Sequence, residues 1–246
     1  MTFEYLALVA IAFALGGILK GATGAGAPIL AVPVMALLVD VPFAVAVFVF
    51  PNLISNAVQF WTHRRQVKDN RFVWKFALAG AVGAAIGTLA LKAFSSNALS
   101  TSVAVIVLIY VSFRLANPGW KLAGKMANRL AVPVGAMGGI LQGATGLSAP
   151  VSITFVNAIQ MERKQFISTM SFFFMFMALT QLPLQLWLGV MTQERFLYSL
   201  LATLPLVLFM PVGEFLARHI SRKIFDKIIL VLLTLLGLRL LAQHFI

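Results

Sequence analysis

Lys20 stands inside an apolar run, directly before the stretch Gly21-Ala22-Thr23-Gly24-Ala25-Gly26-Ala27-Pro28. An ionisable side chain is costly in a lipid-soluble segment, so it is a functional hypothesis by default. The stretch that follows has the chemistry of an anion site. Glycine lets backbone N–H groups approach a ligand closely. Pro28 suits the first turn of a new helix, where its missing N–H is not needed. The N–H groups just before it then lack helical partners and carry the positive end of the helix dipole. Thr23 adds a hydroxyl. The arrangement recurs at Gly143-Ala144-Thr145-Gly146-Leu147-Ser148-Ala149-Pro150, with Gln142 in place of Lys20. Lys20, Thr23, Gly24, Ala25 and Gly26, with Gln142, Thr145, Gly146, Leu147 and Ser148, are the candidate oxyanion cage.

Plainer readings compete. The glycines would equally let helices pack closely, and Gly17/Gly21, Gly139/Gly143 and Gly80, Gly83 and Gly87 fit that pattern. Lys20 would snorkel to the interface if it lay near a segment end. A dinucleotide loop fails for want of a preceding strand and a following acid. A Walker loop fails because no GK[ST] follows.

Asn52, Ser55, Asn56 and Gln59 recur at i, i+3, i+4 and i+7, so they share one helix face. In lipid that face turns inward, to hydrogen-bond other helices or to touch a ligand. Thr180, Gln181 and Gln185 form a thinner stripe in the second half. Of these, Asn52, Asn56, Gln59 and Gln181 join the candidate substrate site. Glu214 is the one acid well inside an apolar segment and suits a proton relay or an ion pair; Asp40 and Glu162 fall at segment ends.

The elements that position these residues form two copies of one unit. GGILKGATGAGAPILAVPVMAL from Gly16 and GGILQGATGLSAPVSITFVNAI from Gly138 align at an offset of 122, and Gln59 aligns with Gln181 at the same offset. Such a repeat reorganises the whole reading. The first repeat is 1–116, with a broken or re-entrant hairpin at 5–39 and helices at 41–61, 72–91 and 98–114. A cytoplasmic linker covers 117–130. The second repeat is 131–246, with a hairpin at 131–160 and helices at 166–188, 196–216 and 224–243. The first two segments of each half look short for a full span, which needs about 20 residues. Each half crosses an odd number of times, so the second is inverted. Inversion places 14 of the 19 basic residues in cytoplasmic loops, against about ten for parallel halves.

Composition agrees. The chain is 61% apolar and 11% charged, against about 25% charged in soluble domains, so its solvent is lipid. The net charge of +12 resides in the gaps between apolar runs and reads as a topology signal rather than a nucleic-acid surface. With no cysteine and three scattered histidines, the sequence offers no metal-ligand spacing. No acid–base pair or Ser/His set argues for an enzyme, and no cofactor motif is present.

At GATGAGAPILAVPVMAL and GATGLSAPVSITFVNAI the chain resembles the sulfite exporter TauE/SafE family, also called the toluene sulfonate uptake permease family, over nearly its whole length. The resemblance implies a multi-pass carrier of the bacterial inner membrane for sulfite, sulfonates or related oxyanions, with some carboxylates. The family's glycine-rich stretch maps onto Gly21, Gly24, Gly26 and Pro28, and onto Gly143, Gly146, Ser148 and Pro150. The expectation is an all-α secondary transporter for a small anion bound at the midplane between two broken hairpins, with alternating access. A coupling proton or sodium ion is a further possible partner. An anion channel with a continuous pore and a carboxylate carrier are the alternatives. The anion, the direction and the oligomeric state are not legible.

Overall fold

The computed structural model describes residues 3–67, 70–117, 120–219 and 222–242. Residues 118–119 of the linker and 220–221 and 243–246 of the second repeat lie outside these. The described residues are helical throughout, without strands. The first half holds α1 (Phe3–Thr23), α2 (Ala27–Leu38), α3 (Val41–His63), α4 (Asn70–Ala93) and α5 (Ser96–Ala116). The second holds α6 (Gly124–Thr145), α7 (Ala149–Ala158), α8 (Arg163–Trp187), α9 (Gln193–His219) and α10 (Arg222–Ala242).

Six helices are long and apolar enough to cross a membrane: α1, α3, α4, α5, α8 and α9. They present large apolar side chains outward, such as Ile11 on α1, Val82 on α4 and Leu208 on α9. The protein is therefore a multi-pass membrane protein, as its composition requires.

The first helix of each half is longer than the sequence suggested. α1 has 21 residues and α6 has 22, so each is ~30 Å long, and α1 is also apolar enough to cross a membrane. α6 begins seven residues before the expected hairpin, within the stretch read as linker. The reason is that Lys125, Met126, Ala127, Arg129 and Leu130 are good helix formers although the segment is not apolar. Only α2 and α7, with 12 and 10 residues, are short.

Pro28 and Pro150 open α2 and α7, as expected. Asp40 caps α3 by accepting from the Phe43 N–H at 2.6 Å, which explains its place at a segment end. Pro51, inside α3, removes the N–H that would bond the Val47 carbonyl. Ser199 of α9 donates to that carbonyl at 2.7 Å, so the freed group is satisfied within the protein.

Two helix pairs pack backbone to backbone. A Cβ at Gly17 would sit 2.2 Å from the Leu206 carbonyl oxygen, and one at Gly21 would sit 1.9 Å from that of Met210. Both residue numbers rise by four, so α1 and α9 run parallel. α4 and α6 meet in the same way: Gly83 against Ala136, Gly87 against Ile140, Gly139 against Gly80 and Gly143 against Ala84. The close-packing role foreseen for these glycines is the one they perform.

The chain doubles back at the break after α1, since Ala27 and Ala31 lie beside Gly16 and Gly26 lies beside Leu19. It reverses again at residues 39–40, so α1 and α3 run the same way. Residues 188–192 reverse it between α8 and α9. With α1 parallel to α9, α3 and α8 are antiparallel, and they pack together at the centre of the molecule.

The glycine contacts predict a sharp contrast. Gly83→Ala should lower the melting temperature in detergent by several degrees, because the added methyl overlaps a helix carbonyl and overpacking costs about 1–3 kcal/mol. Gly124→Ala, where nothing lies within 4 Å of an added Cβ, should leave it unchanged or raise it slightly. Equal effects in a thermal-unfolding series would contradict the packing described.

Candidate functional site

The site is built around α3. Asn52, Ser55, Asn56 and Gln59 all face inward and are buried, as their spacing requires. Lys20 comes to them from α1. Its side chain is 1% exposed, the only charged group among the described residues to be fully buried. Lys20 Nζ donates to Asn56 Oδ1 at 2.7 Å. Asn56 Nδ2 in turn donates to Asn52 Oδ1 at 2.7 Å and lies equally close to the Asn52 carbonyl. The Phe174 ring of α8 closes the other side, with its centroid 6.0 Å from Nζ. Among the described residues no carboxylate pairs with Lys20, and Asn56 is the one hydrogen-bond acceptor of its ammonium. Asn52 Nδ2 is buried without a partner. The aligned depth of Asn56 on a 23-residue helix argues against snorkelling.

The second half supplies an uncharged counterpart. Gln142 Oε1 accepts from the Ser148 N–H at 3.3 Å, and Gln181 Nε2 donates to the Gln142 carbonyl at 3.4 Å. Gln59 Oε1 accepts from Ser171 Oγ at 3.2 Å, joining α3 to α8. Three polar groups therefore form a seam along the α3–α8 contact, with Lys20 and Gln142 entering from α1 and α6.

The two glycine turns bound this seam rather than meeting within it. Gly24 and Gly146 adopt φ of +86° and +74°, the left-handed region that suits glycine. Gly24 packs on Ile167, one turn inside the start of α8. Gly146 packs on Val45, one turn inside the start of α3, and on Val32. Because α3 and α8 are antiparallel, these are opposite ends. With Gln59 facing Ser171, the turns lie roughly 27 Å apart along the seam at 1.5 Å per residue. A single compact cage formed by both turns is not what the structure builds. Both breaks are nonetheless buried in protein, and the first turns of α2 and α7 double back toward the seam.

The turn hydroxyls are also committed locally. Thr23 Oγ1 donates to the Leu19 carbonyl at 2.8 Å and accepts from the Ala25 N–H at 3.4 Å. Thr145 Oγ1 repeats this with Leu141 at 2.7 Å and the Leu147 N–H at 3.3 Å. The amides expected to face a ligand at Ala25, Leu147 and Ser148 thus bond within the chain. Inside a lipid-enclosed interior an unpaired N–H is too costly to leave open, so neighbouring oxygens take it up. Arg163 Nη2 reaches back to the Ala22 carbonyl at 3.2 Å, so a basic residue assigned to a loop also steadies the first break.

The sequence reading missed Ser152, Ser168, Thr169 and Ser171, all fully buried. Ser171, Ala178, Gln181 and Gln185 lie on one face of α8, at i, i+7, i+10 and i+14. That signal is present but diluted by the phenylalanines and methionines between them. Glu214 is exposed on α9, outside the seam. Two surface clefts, of about 540 Å³ beside Val105 and Ile109 and about 310 Å³ beside Asn128 and Gln160, are lined by no seam or break residue. Among the described residues no cluster of His, Asp and Glu could hold a metal ion.

The described residues thus form an all-helical, multi-pass membrane protein with a buried lysine beside a polar seam. The model of the family described as sulfite exporter TauE/SafE matches residues 8–240, and the chain belongs to that family. Membership implies membrane transport of sulfur anions such as sulfite. No curated protein and no solved structure matches the chain.

Proposed function

We propose that the protein is a secondary carrier for a small sulfur oxyanion, sulfite or an organosulfonate, and that Lys20 supplies the charge that binds it. The observation that carries this reading is the state of Lys20: fully buried, held by one asparagine, with no carboxylate beside it. A buried cation is ordinarily paired. Here the remaining N–H bonds of Nζ, with the unpartnered Nδ2 of Asn52, form a donor-only pocket that an oxyanion completes. Asn56 holds the ammonium in place from behind.

Two further features support alternating access. The parallel packing of α1 with α9 is what an inverted second half produces, because α1 and the fourth helix of its own half, α4, are separated by an odd number of reversals. The glycine turns lie at opposite ends of the seam, where each would act as the movable element on its own side. In this reading the α1–α9 and α4–α6 pairs move as units, since interpenetrating backbones cannot slide independently.

Removing the charge tests the site. Lys20→Gln should weaken binding of sulfite and of ethanesulfonate by roughly ten- to hundredfold, the worth of a charge-assisted hydrogen bond. Calorimetry on folded, monodisperse protein would measure it, and unchanged affinity would reject the role. Inversion has its own test, made simple because the chain contains no cysteine. Val67→Cys and Lys164→Cys should both be shielded from an impermeant thiol reagent in intact cells. Labelling of one from outside and the other only from inside would refute inversion.

A further inference from the structure

The seam has two ends of different chemistry. Near Lys20 the groups without partners are donors: the remaining ammonium N–H bonds and Asn52 Nδ2. Further along, the groups without partners belong to α8. They include Gln181 Oε1 and both amide atoms of Gln185, Nε2 and Oε1; the Ser168 hydroxyl nearer the start of α8 and the Thr154 hydroxyl of α7 also lack partners. Gln181 is 1% exposed and Gln185 is fully buried. Four residues apart, the two amides share one face of the helix. That face is turned inward toward α6, since Gln181 Nε2 reaches the Gln142 carbonyl. A buried amide with neither its donor nor its acceptor used destabilises a protein. An aliphatic side chain of the same size would pack there at no such cost, so packing alone gives no reason for Gln185.

We propose that Gln181 and Gln185 form a second, uncharged subsite that takes the polar tail of the substrate whose anionic head is held by Lys20 and Asn52. The inference rests on the reading of Lys20 given above and adds what the other end of the molecule must be. The antiparallel register, with Gln59 facing Ser171, sets Gln181 level with residue 49 or 50 of α3. That is two or three residues from Asn52, or ~4–5 Å along the helix. Along the helix axis an oxyanion between Lys20 and Asn52 is therefore offset from Gln181 by about the length of a short carbon chain, and Gln185 stands one turn beyond. The carbonyl oxygens accept from a hydroxyl or an ammonium, and the Gln185 Nε2 donates to an oxygen. The side-chain acceptors of the head pocket, Asn56 Oδ1 and Asn52 Oδ1, are already taken by Lys20 and Asn56. A substrate lying the other way round would set its oxygens against carbonyl oxygens, so the two subsites also fix its orientation. Water is the competing occupant, because a small polar void with several partners can hold one.

The test compares two probes of equal length, 2-hydroxyethanesulfonate and ethanesulfonate, by calorimetry on the purified full-length protein. Wild type should bind the hydroxylated probe at least about tenfold more tightly, as sites built to hydrogen-bond a hydroxyl do. Gln185→Met and Gln181→Met should each reduce that ratio to below about threefold. The melting temperature of the ligand-free Gln185→Met protein supplies a readout independent of binding, and it should rise because an unpartnered amide has gone. Equal binding of the two probes by wild type, or an unchanged ratio in both variants, would show a water pocket or packing only and overturn the subsite while leaving Lys20 untouched. A fall in the ligand-free melting temperature of Gln185→Met would overturn it too, by showing that the amide has structural partners. If neither sulfonate binds wild type, the anion site itself fails and the tail subsite falls with it.

Discussion

The hydrogen bond from Lys20 Nζ to Asn56 Oδ1 is the interaction around which the interior is arranged. A cation enclosed by protein that is itself enclosed by lipid has no water to turn to. It forces its neighbours to be polar, and those neighbours must then satisfy one another. Asn56 spends its amide on Asn52, Gln59 takes the Ser171 hydroxyl, and Gln142 and Gln181 continue the line. The result is a seam in which the deficit falls on a few identifiable atoms. They include the amide nitrogen of Asn52, the amides of Gln181 and Gln185, and the hydroxyls of Ser168 and Thr154. A selective binding site is a set of such deficits arranged so that the right guest relieves them together.

The rest of the fold holds this seam closed without stiffening all of it. Glycines join α1 to α9 and α4 to α6 at backbone distance, so the broken helix of each half is fixed to the other half rather than to its own. Ser199 repairs the gap that Pro51 leaves in α3, which keeps the central helix bonded through its polar stretch. The two left-handed turns, by contrast, are single glycines packed on aliphatic side chains, Gly24 on Ile167 and Gly146 on Val32 and Val45.

Much of this was legible in the sequence. Apolar composition specified the solvent, the duplicated glycine block marked both breaks, and the Asn52–Gln59 spacing pointed one face of α3 inward. The depth of Lys20 followed from its place in an apolar run. The length of α6 was not legible, because its first two turns are helical by propensity while their side chains are polar. Nor was the separation of the two turns. A repeat shows that two motifs exist, but the distance between them depends on how far each helix runs before it breaks and on the register of α3 against α8. The amides of Ala25 and Leu147 look free in sequence because only coordinates reveal a threonine two residues earlier turning back to accept from them. Only part of the α8 face was legible: Gln181 and Gln185 stood out, whereas Ser168 and Ser171 lie among bulky apolar residues such as Phe173, which packs on Phe76 of α4.

A density map of the protein in lipid nanodiscs with a bound organosulfonate tests the central claim most directly. The account predicts the sulfonate oxygens within hydrogen-bond distance of Lys20 Nζ and Asn52 Nδ2, in the seam between the two glycine turns. A sulfonate resting at either turn, or anywhere without contact to Lys20, would contradict it.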